Sequence, residues 1–422
     1  MKHGRQALNQ SSSIFRAFNA KNYRIFFFGQ SISLIGTWMQ QIAMSWLVYR
    51  LSGSAFLLGI VGFTGRIPIF ILASVGGVIS DCYDRKRILI LIQMLAMIQA
   101  FVLAALVFSG AIAIWHLVGL SIMLGILNAF EIPTRQSFVI EMVEKPEYLG
   151  NAIALNSSMF NAARLIGPSL AGVLIATLGE GVCFILNGIS FLTVILALFA
   201  MNVVSRSVKI RSERILQGFK EGFFYTFEFL PRRYTLMLLA LVSLMATPYQ
   251  VLMPVFAEEI LQGGPKILGF LMGASGIGAL SGALYLASRR SLIGTENKIP
   301  LAAIILGVGL IAFSFSRYLW LSLFCMIFVG FGTIVQAASS NILLQTISDD
   351  DKRGRVMSFY AMAFMGTMPF GSLLAGSLAS IIGAANTLLI GSSVCILGAL
   401  LFAFKLPSIQ RMIVSNFQSR LV

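Results

Sequence analysis

The chain has 422 residues, of which 57% are hydrophobic and 11% charged, and its mean hydropathy is +0.87. A soluble domain carries roughly 25% charged residues, so this composition excludes one and puts the chain in lipid. The net charge of +15 marks no nucleic-acid partner, because the basic residues gather into no single face or arm.

In chain order, a basic, Ser-rich segment over 1–23 leads into a first apolar span at 24–48, and spans follow at 56–80, 88–109, 116–140, 150–178 and 182–204. Crossing hydrocarbon as a helix takes ~20 apolar residues; a β-barrel is excluded, since its strands alternate apolar and polar over ~10 residues. The one long polar break, 205–233, carries Lys209, Arg211, Glu213, Arg214, Lys220, Glu221 and Glu228 and is closed by Pro231. Further spans at 234–260, 266–288, 299–316, 320–346, 355–382 and 386–405 leave a tail at 406–422. The expectation is an all-α integral membrane protein of twelve transmembrane helices, with six-helix bundles over 24–204 and 234–405 and a cytoplasmic linker at 205–233. The first segment lacks a short apolar core before a cleavage site, so the first span is expected to act as the insertion signal.

Orientation follows from Lys and Arg. With the N-terminus inside, most of them fall on the cytoplasmic side and only Arg50, Lys266 and Arg317 on the other, which predicts cytoplasmic N and C termini. Cys82, Cys183, Cys325 and Cys395 are scattered and His3 and His116 lie far apart. Neither a disulfide framework, a zinc spacing nor a catalytic triad is written in the chain, so no enzyme, metal or cofactor is expected.

The halves repeat. Gly150 and Gly354, Gly167 and Gly371, Gly172 and Gly376, and Gly179 and Gly383 are each 204 positions apart, and Trp115 and Trp320 lie one residue off that register. An even number of spans separates the copies, so both are expected to insert with the same orientation.

The sharpest local signal runs from Gly76 to Arg87, between the second and third spans. Gly76 and Gly77 are small enough for two helix backbones to approach closely, and Asp81, Asp84, Arg85, Lys86 and Arg87 crowd the turn that follows. A latch over Gly77, Asp81, Arg85 and Lys86 is expected; orienting the chain would explain the three basic residues alone, but not Asp81 or the glycines.

A charge inside hydrocarbon costs ~2.5–3.5 kcal/mol on insertion scales, so each one asks for a reason. Arg66 lies within span two, Glu131 and Arg135 near the inner end of span four, and Arg164 in span five. Glu131 and Arg135, four apart, share a face and neutralise one another, with Pro133 between them bending the helix. A carboxyl group that loses its cationic partner in an apolar cavity takes up a proton. Glu131 is therefore a candidate protonation site with Arg135 as partner; a static pair is the alternative.

Polar residues recur at helical spacing: Gln30, Ser33, Thr37 and Gln41 on span one, Asn161 and Arg164 on span five, Ser243, Thr247 and Gln250 on span seven, and Thr333, Gln336 and Ser340 on span ten. Lipid offers such groups nothing, so they point to a watered cavity or to interhelical hydrogen bonds of ~0.6 kcal/mol each. Gln41, Arg66, Asn161, Arg164, Gln250 and Gln336 are the candidate cavity residues. Met362, Met365 and Met368 on span eleven suit a bulky substrate or plain packing.

The Gly77-to-Lys86 spacing resembles the loop signature of the major facilitator superfamily, with Asp81 on its Asp and Arg85 and Lys86 on its basic pair. Cys82 and Asp84 replace the usual Arg and Gly. Residues Asp351 to Arg355 resemble the related turn of the second half. Span five, with Gly167, Pro168 and Gly172, is similar to the superfamily's antiporter signature, although Ala163 and Ala171 stand where that signature has glycine.

Asn22-Tyr23-Arg24, Ser33 to Gln40, Pro133 to Gln136, Asn151 to Gly172 and Pro369 to Gly376 resemble the enterobactin-exporter, or transmembrane secretion effector, branch over nearly the whole chain. The resemblance implies a multi-pass transporter of the bacterial inner membrane that exports a small molecule, a siderophore foremost, by proton antiport with alternating access. The proton motive force would be its only energy source. Macrolide or multidrug efflux is the alternative, and an uptake carrier a weaker one. The lipid bilayer and the substrate are the implied partners of a monomer, with room for periplasmic or outer-membrane efflux partners.

Overall fold

The computed structural model describes residues 16–143, 145–203, 215–288, 294–349 and 352–421. His3, the linker residues Lys209, Arg211, Glu213 and Arg214, and Asp351 of the charged turn lie outside the described residues. What is described is helical. The helices are α1 (Lys21–Ser52), α2 (Ala55–Thr64), α3 (Ile67–Cys82), α4 (Arg85–Phe108), α5 (Ile114–Met142), α6 (Leu149–Leu178), α7 (Glu180–Ala200) and α8 (Ile215–Glu228). They continue with α9 (Leu230–Met245), α10 (Tyr249–Val255), α11 (Gly264–Ala287), α12 (Thr295–Phe315), α13 (Leu319–Thr346), α14 (Arg353–Ala361), α15 (Met368–Ile382) and α16 (Ala384–Leu421).

Among the described residues, 11 helices are long and apolar enough to cross a membrane. The remaining expected span is α1, whose 32 residues suffice in length but whose apolar run is diluted by Gln30, Ser31, Ser33, Thr37, Gln40 and Gln41. Three expected spans are interrupted. Span two breaks at Gly65 and Arg66, between α2 and α3, where Pro68 has no N–H to return to the Thr64 carbonyl. Span seven breaks ahead of Pro248 and ends in a π-helical turn at Phe256–Ile260, and span eleven widens into a π-helical turn at Met362–Gly366 just before Pro369. The linker is not wholly irregular, since α8 forms within it, and the tail continues α16 as helix.

The chain divides into two compact units. One contains Met1–Met44 and Ile71–Ile210, the other Ser45–Phe70 and Arg211–Val422. The hairpin formed by the end of α1 and by α2 belongs to the second unit because α2 lies on α15 through glycine. A Cβ on Gly59 would fall 2.8 Å from the Ser372 carbonyl oxygen and 3.0 Å from the Gly376 Cα, and one on Gly62 would fall 3.2 Å from the Ser372 Cβ.

In the first unit Phe26, Leu89, Phe138, Val194 and Leu198 form an apolar core from α1, α4, α5 and α7. Beside it, α3 meets α5 at Gly76, where a Cβ would lie 2.4 Å from the Ala129 carbonyl oxygen. Pro133 cannot donate to that carbonyl, so the approach of Gly76 covers an acceptor that the helix itself leaves open. Gly77 is different: a Cβ there would meet nothing within 4 Å. The close approach expected of both glycines rests on Gly76 alone.

In the second unit α11 and α13 cross backbone to backbone, with a Cβ on Gly278 falling 1.9 Å from the Ile327 carbonyl oxygen and one on Gly330 equally close to that of Ser275. The repeat recurs within each unit. Gly179 ends α6 and Gly383 ends α15, both at φ +84°, a backbone conformation that favours glycine. Gly167 packs on span one, 2.8 Å from the Ile35 carbonyl oxygen by its would-be Cβ, and Gly371 packs on span seven, 2.4 Å from that of Leu244. Leu244 is itself four residues before Pro248. Trp115 and Trp320, at the starts of α5 and α13, are 70% and 81% exposed.

Candidate functional site

Within the first unit the charged turn closes on itself. Asp84 caps α4 by accepting from the Arg87 N–H at 3.0 Å, which orients Arg85 back toward α3. The Arg85 guanidinium donates to Asp81 at 2.9 Å and to the Ser80 carbonyl at 2.9 Å, and it also pairs with Glu141 at the end of α5. Lys86 donates to the Met201 carbonyl at 2.7 Å, just past α7. One turn thus ties α3, α4, α5 and the end of α7. Glu141, 56 residues from Arg85, gave no sign in the sequence.

Glu131 and Arg135 form the expected pair, with the Arg135 Nε donating to the Glu131 carboxylate at 2.7 Å and both side chains largely buried. Arg164, on α6, is 8% exposed and lies 5.9 Å from the Trp38 ring, held beside Gly167, which packs against the same tryptophan. Pro168 and Gly172 are buried in the same helix. Asn161 turns back to its own helix, donating to the Ser157 carbonyl at 2.8 Å.

Span one's polar face differs from the expected stripe. Gln30, Ser33 and Gln40 are buried, whereas Gln41 is exposed. Gln40 donates to Gln99 at 3.0 Å and accepts from Asn187 at 2.7 Å, while Gln99 donates to the Leu120 carbonyl at 3.3 Å. This fully buried amide chain joins α1, α4, α5 and α7, and a satisfied buried network of this kind specifies a unique packing. Its partners are 59 and 147 residues apart, so helical spacing within one span could not reveal it.

Within the second unit Arg66 sits at the break between α2 and α3 and donates from Nη1 to the Ser372 hydroxyl at 3.2 Å. Among the described residues no carboxylate lies within ion-pair distance of Arg66 or Arg164. Phe370 of α15 touches both Phe63 and Phe70 edge-on, at 5.9 and 6.3 Å between centroids, and Phe70 covers Gly366. Met362 and Met365 are exposed on the π-helical turn. Gln336 is buried and lies 3.5 Å from the Ser340 hydroxyl; Gln250 is half-buried on α10. On the linker side, Tyr225 of α8 donates to Asp349 at 2.8 Å, and Arg355 pairs with Glu221 at 2.9 Å.

His116 accepts from the Ala113 N–H at 3.1 Å and so serves the start of α5. Among the described residues no group of three His, Cys, Asp or Glu side chains could hold a metal ion.

The profile of the transmembrane secretion effector family matches residues 12–422. The chain belongs to that family. The staphyloferrin A transporter of Staphylococcus aureus (strain NCTC 8325 / PS 47) is 27% identical over 375 residues, covering 88% of this chain and 94% of its own. The multidrug efflux pump Tap of Mycolicibacterium fortuitum is 28% identical over 363 residues, covering 82% and 87%.

Among solved structures, a bacterial homologue of the iron transporter ferroportin matches with a TM-score of 0.69 at 16% identity, over 92% of this chain and 98% of its own. A bacterial homologue of the human lysosomal transporter Spinster matches with a TM-score of 0.68 at 12% identity, over 94% and 98%. At those identities the likeness concerns the fold alone. The chain is a multi-pass membrane transporter of the major facilitator superfamily, and its family is one of transporters.

Proposed function

We propose that this protein is a secondary active exporter of an anionic small molecule of the siderophore class. It acts in the bacterial cytoplasmic membrane, with twelve spans, both termini inside, alternating access, and protons moving in exchange for substrate. The observation that carries the substrate charge is the set of unpaired cations. Arg66 and Arg164 lie within spanning segments without a carboxylate partner among the described residues, whereas the Glu131 carboxylate is neutralised by Arg135. Such a distribution attracts an anion and gives a cation little to hold.

The staphyloferrin A transporter among the relatives supports the siderophore class. Glu131 is the proton carrier in this proposal. When Arg135 is drawn away, the carboxyl group is left in an apolar setting and binds a proton; when the pair re-forms, the proton is released. The turn around Arg85, anchored to Asp81 and Glu141, acts as the conformational latch of the cycle.

Drug efflux is the second reading. It is supported by the Tap relative and by Met362 and Met365, whose flexible side chains are exposed on a π-helical turn. Deleting the gene and profiling secreted metabolites under iron limitation separates the two. The siderophore proposal expects an iron chelator to vanish from the medium and accumulate in the cells. Unchanged chelator secretion together with new sensitivity to a lipophilic drug would overturn it.

A further inference from the structure

We infer that Ser372 governs how tightly this protein binds its anion, by occupying the Arg66 guanidinium when substrate is absent and releasing the α2 hairpin when substrate takes its place. The inference rests on the anion proposal above and adds a residue and a consequence to it.

Ser372 is fully buried, and its hydroxyl is already committed. It donates to the Met368 carbonyl at 2.9 Å and accepts from the Arg66 Nη1 at 3.2 Å. The guanidinium has five N–H donors and gives one of them to Ser372; an anion that takes the Nη1 proton now held by this hydroxyl displaces it. Ser372 also lies at the centre of the contact between α2 and α15. Its carbonyl oxygen would be 2.8 Å from a Cβ on Gly59, and its own Cβ would be 3.2 Å from one on Gly62. Gly376, one turn further along α15, meets Ala55 and Gly59 on the same face, with a would-be Cβ 2.7 Å from the Ala55 carbonyl oxygen.

Arg66 follows Gly59 and Gly62 by seven and four residues, so its guanidinium is the polar end of one continuous glycine seam. Contacts this close are lost with small separations. A shift of Arg66 from Ser372 to a bound anion therefore removes the side-chain hydrogen bond that, among the described residues, fastens the hairpin end of the seam. The hairpin loosens when substrate is present and reseats when it leaves.

The test uses the full chain in nanodiscs with Cys82, exposed in the native protein, replaced by Ser. A reporter, Leu58→Cys, is placed on α2 at a position only 3% exposed. Labelling by N-ethylmaleimide is measured with and without citrate and 2,3-dihydroxybenzoate, and citrate affinity is measured by scintillation proximity. Ser372→Ala removes the acceptor of the Arg66 bond together with the hydroxyl's own donation to the Met368 carbonyl. It is expected to raise reporter labelling without ligand and to tighten anion binding roughly tenfold, since a hydrogen bond to a charged group no longer has to be broken. A merely structural role would loosen the seam without tightening anion binding.

The inference is overturned if Ser372→Ala leaves anion affinity unchanged or weaker, or if neither anion raises labelling of the reporter. Should Arg66→Gln still bind and export anions normally, the anion proposal itself fails. Should Arg66→Gln lose anion binding while Ser372→Ala stays silent, only the role of Ser372 fails.

Discussion

Gly77 occupies the glycine position of the loop signature, yet the crowded position in the structure is Gly76. The paired substitutions Gly76→Ala and Gly77→Ala turn this into a measurement. A Cβ on Gly76 would lie 2.4 Å from the Ala129 carbonyl oxygen and 3.2 Å from the Phe130 Cα. Ordinary contact needs about 3.4 Å, so α3 and α5 must part by about 1 Å at a point where both are backbone and neither can turn aside. Overpacking of that kind costs ~1–3 kcal/mol.

On Gly77 the new methyl group meets nothing within 4 Å, and replacing a mid-helix glycine with alanine stabilises by ~0.5–1 kcal/mol. The helix gain is common to both positions, so the two variants should differ by the overpacking cost, roughly 1–3 kcal/mol. Thermal unfolding of detergent-purified protein, followed by size-exclusion chromatography after heating, would place Gly76→Ala below wild type and Gly77→Ala at or above it. The reasoning is refuted if Gly77→Ala is the less stable of the two.

Three other outcomes are expected. Glu131→Gln should insert and purify normally but lose transport driven by a pH gradient, while substrate exchange without a gradient persists; full gradient-driven transport in vesicles would remove Glu131 from the mechanism. Asn187→Leu leaves the Gln40 carbonyl oxygen without its donor, at a cost of ~1–3 kcal/mol, and adding Gln40→Leu and Gln99→Leu should recover much of that loss in thermal stability. Glu141→Gln removes one of two carboxylates from Arg85 and should slow transport more than it lowers stability, whereas Asp81→Asn combined with it should abolish transport; wild-type rates in the double variant would exclude the latch.

What the sequence made readable was local or periodic. Apolar runs located most of the long helices to within a few residues, because crossing lipid sets a minimum apolar length, whereas the last helix continues past the expected end at 405. The pair of Glu131 with Arg135 was visible because four residues bring two side chains onto one helix face, and Asp81 and Arg85 because their charges crowd one short turn between two spans. The glycine register foretold matched features such as the positive φ at Gly179 and Gly383. Contacts between distant segments were not readable. Nothing near Arg85 pointed to Glu141, and nothing in span one distinguished the buried Gln40 from the exposed Gln41, since one residue turns a helix by about 100°. The assignment of Ser45–Phe70 to the second unit depends on Gly59 meeting Gly376, more than 300 residues away.

Export of an anion is tested most directly in proteoliposomes carrying the purified protein and an imposed pH gradient, with an iron-free hydroxycarboxylate chelator and the lipophilic cation ethidium offered in parallel. The account predicts that the chelator moves against its gradient as protons move the other way, that Arg66→Gln and Arg164→Gln each stop it, and that ethidium is left behind. Movement of ethidium at wild-type rates in both arginine variants, with no movement of the chelator, would contradict it.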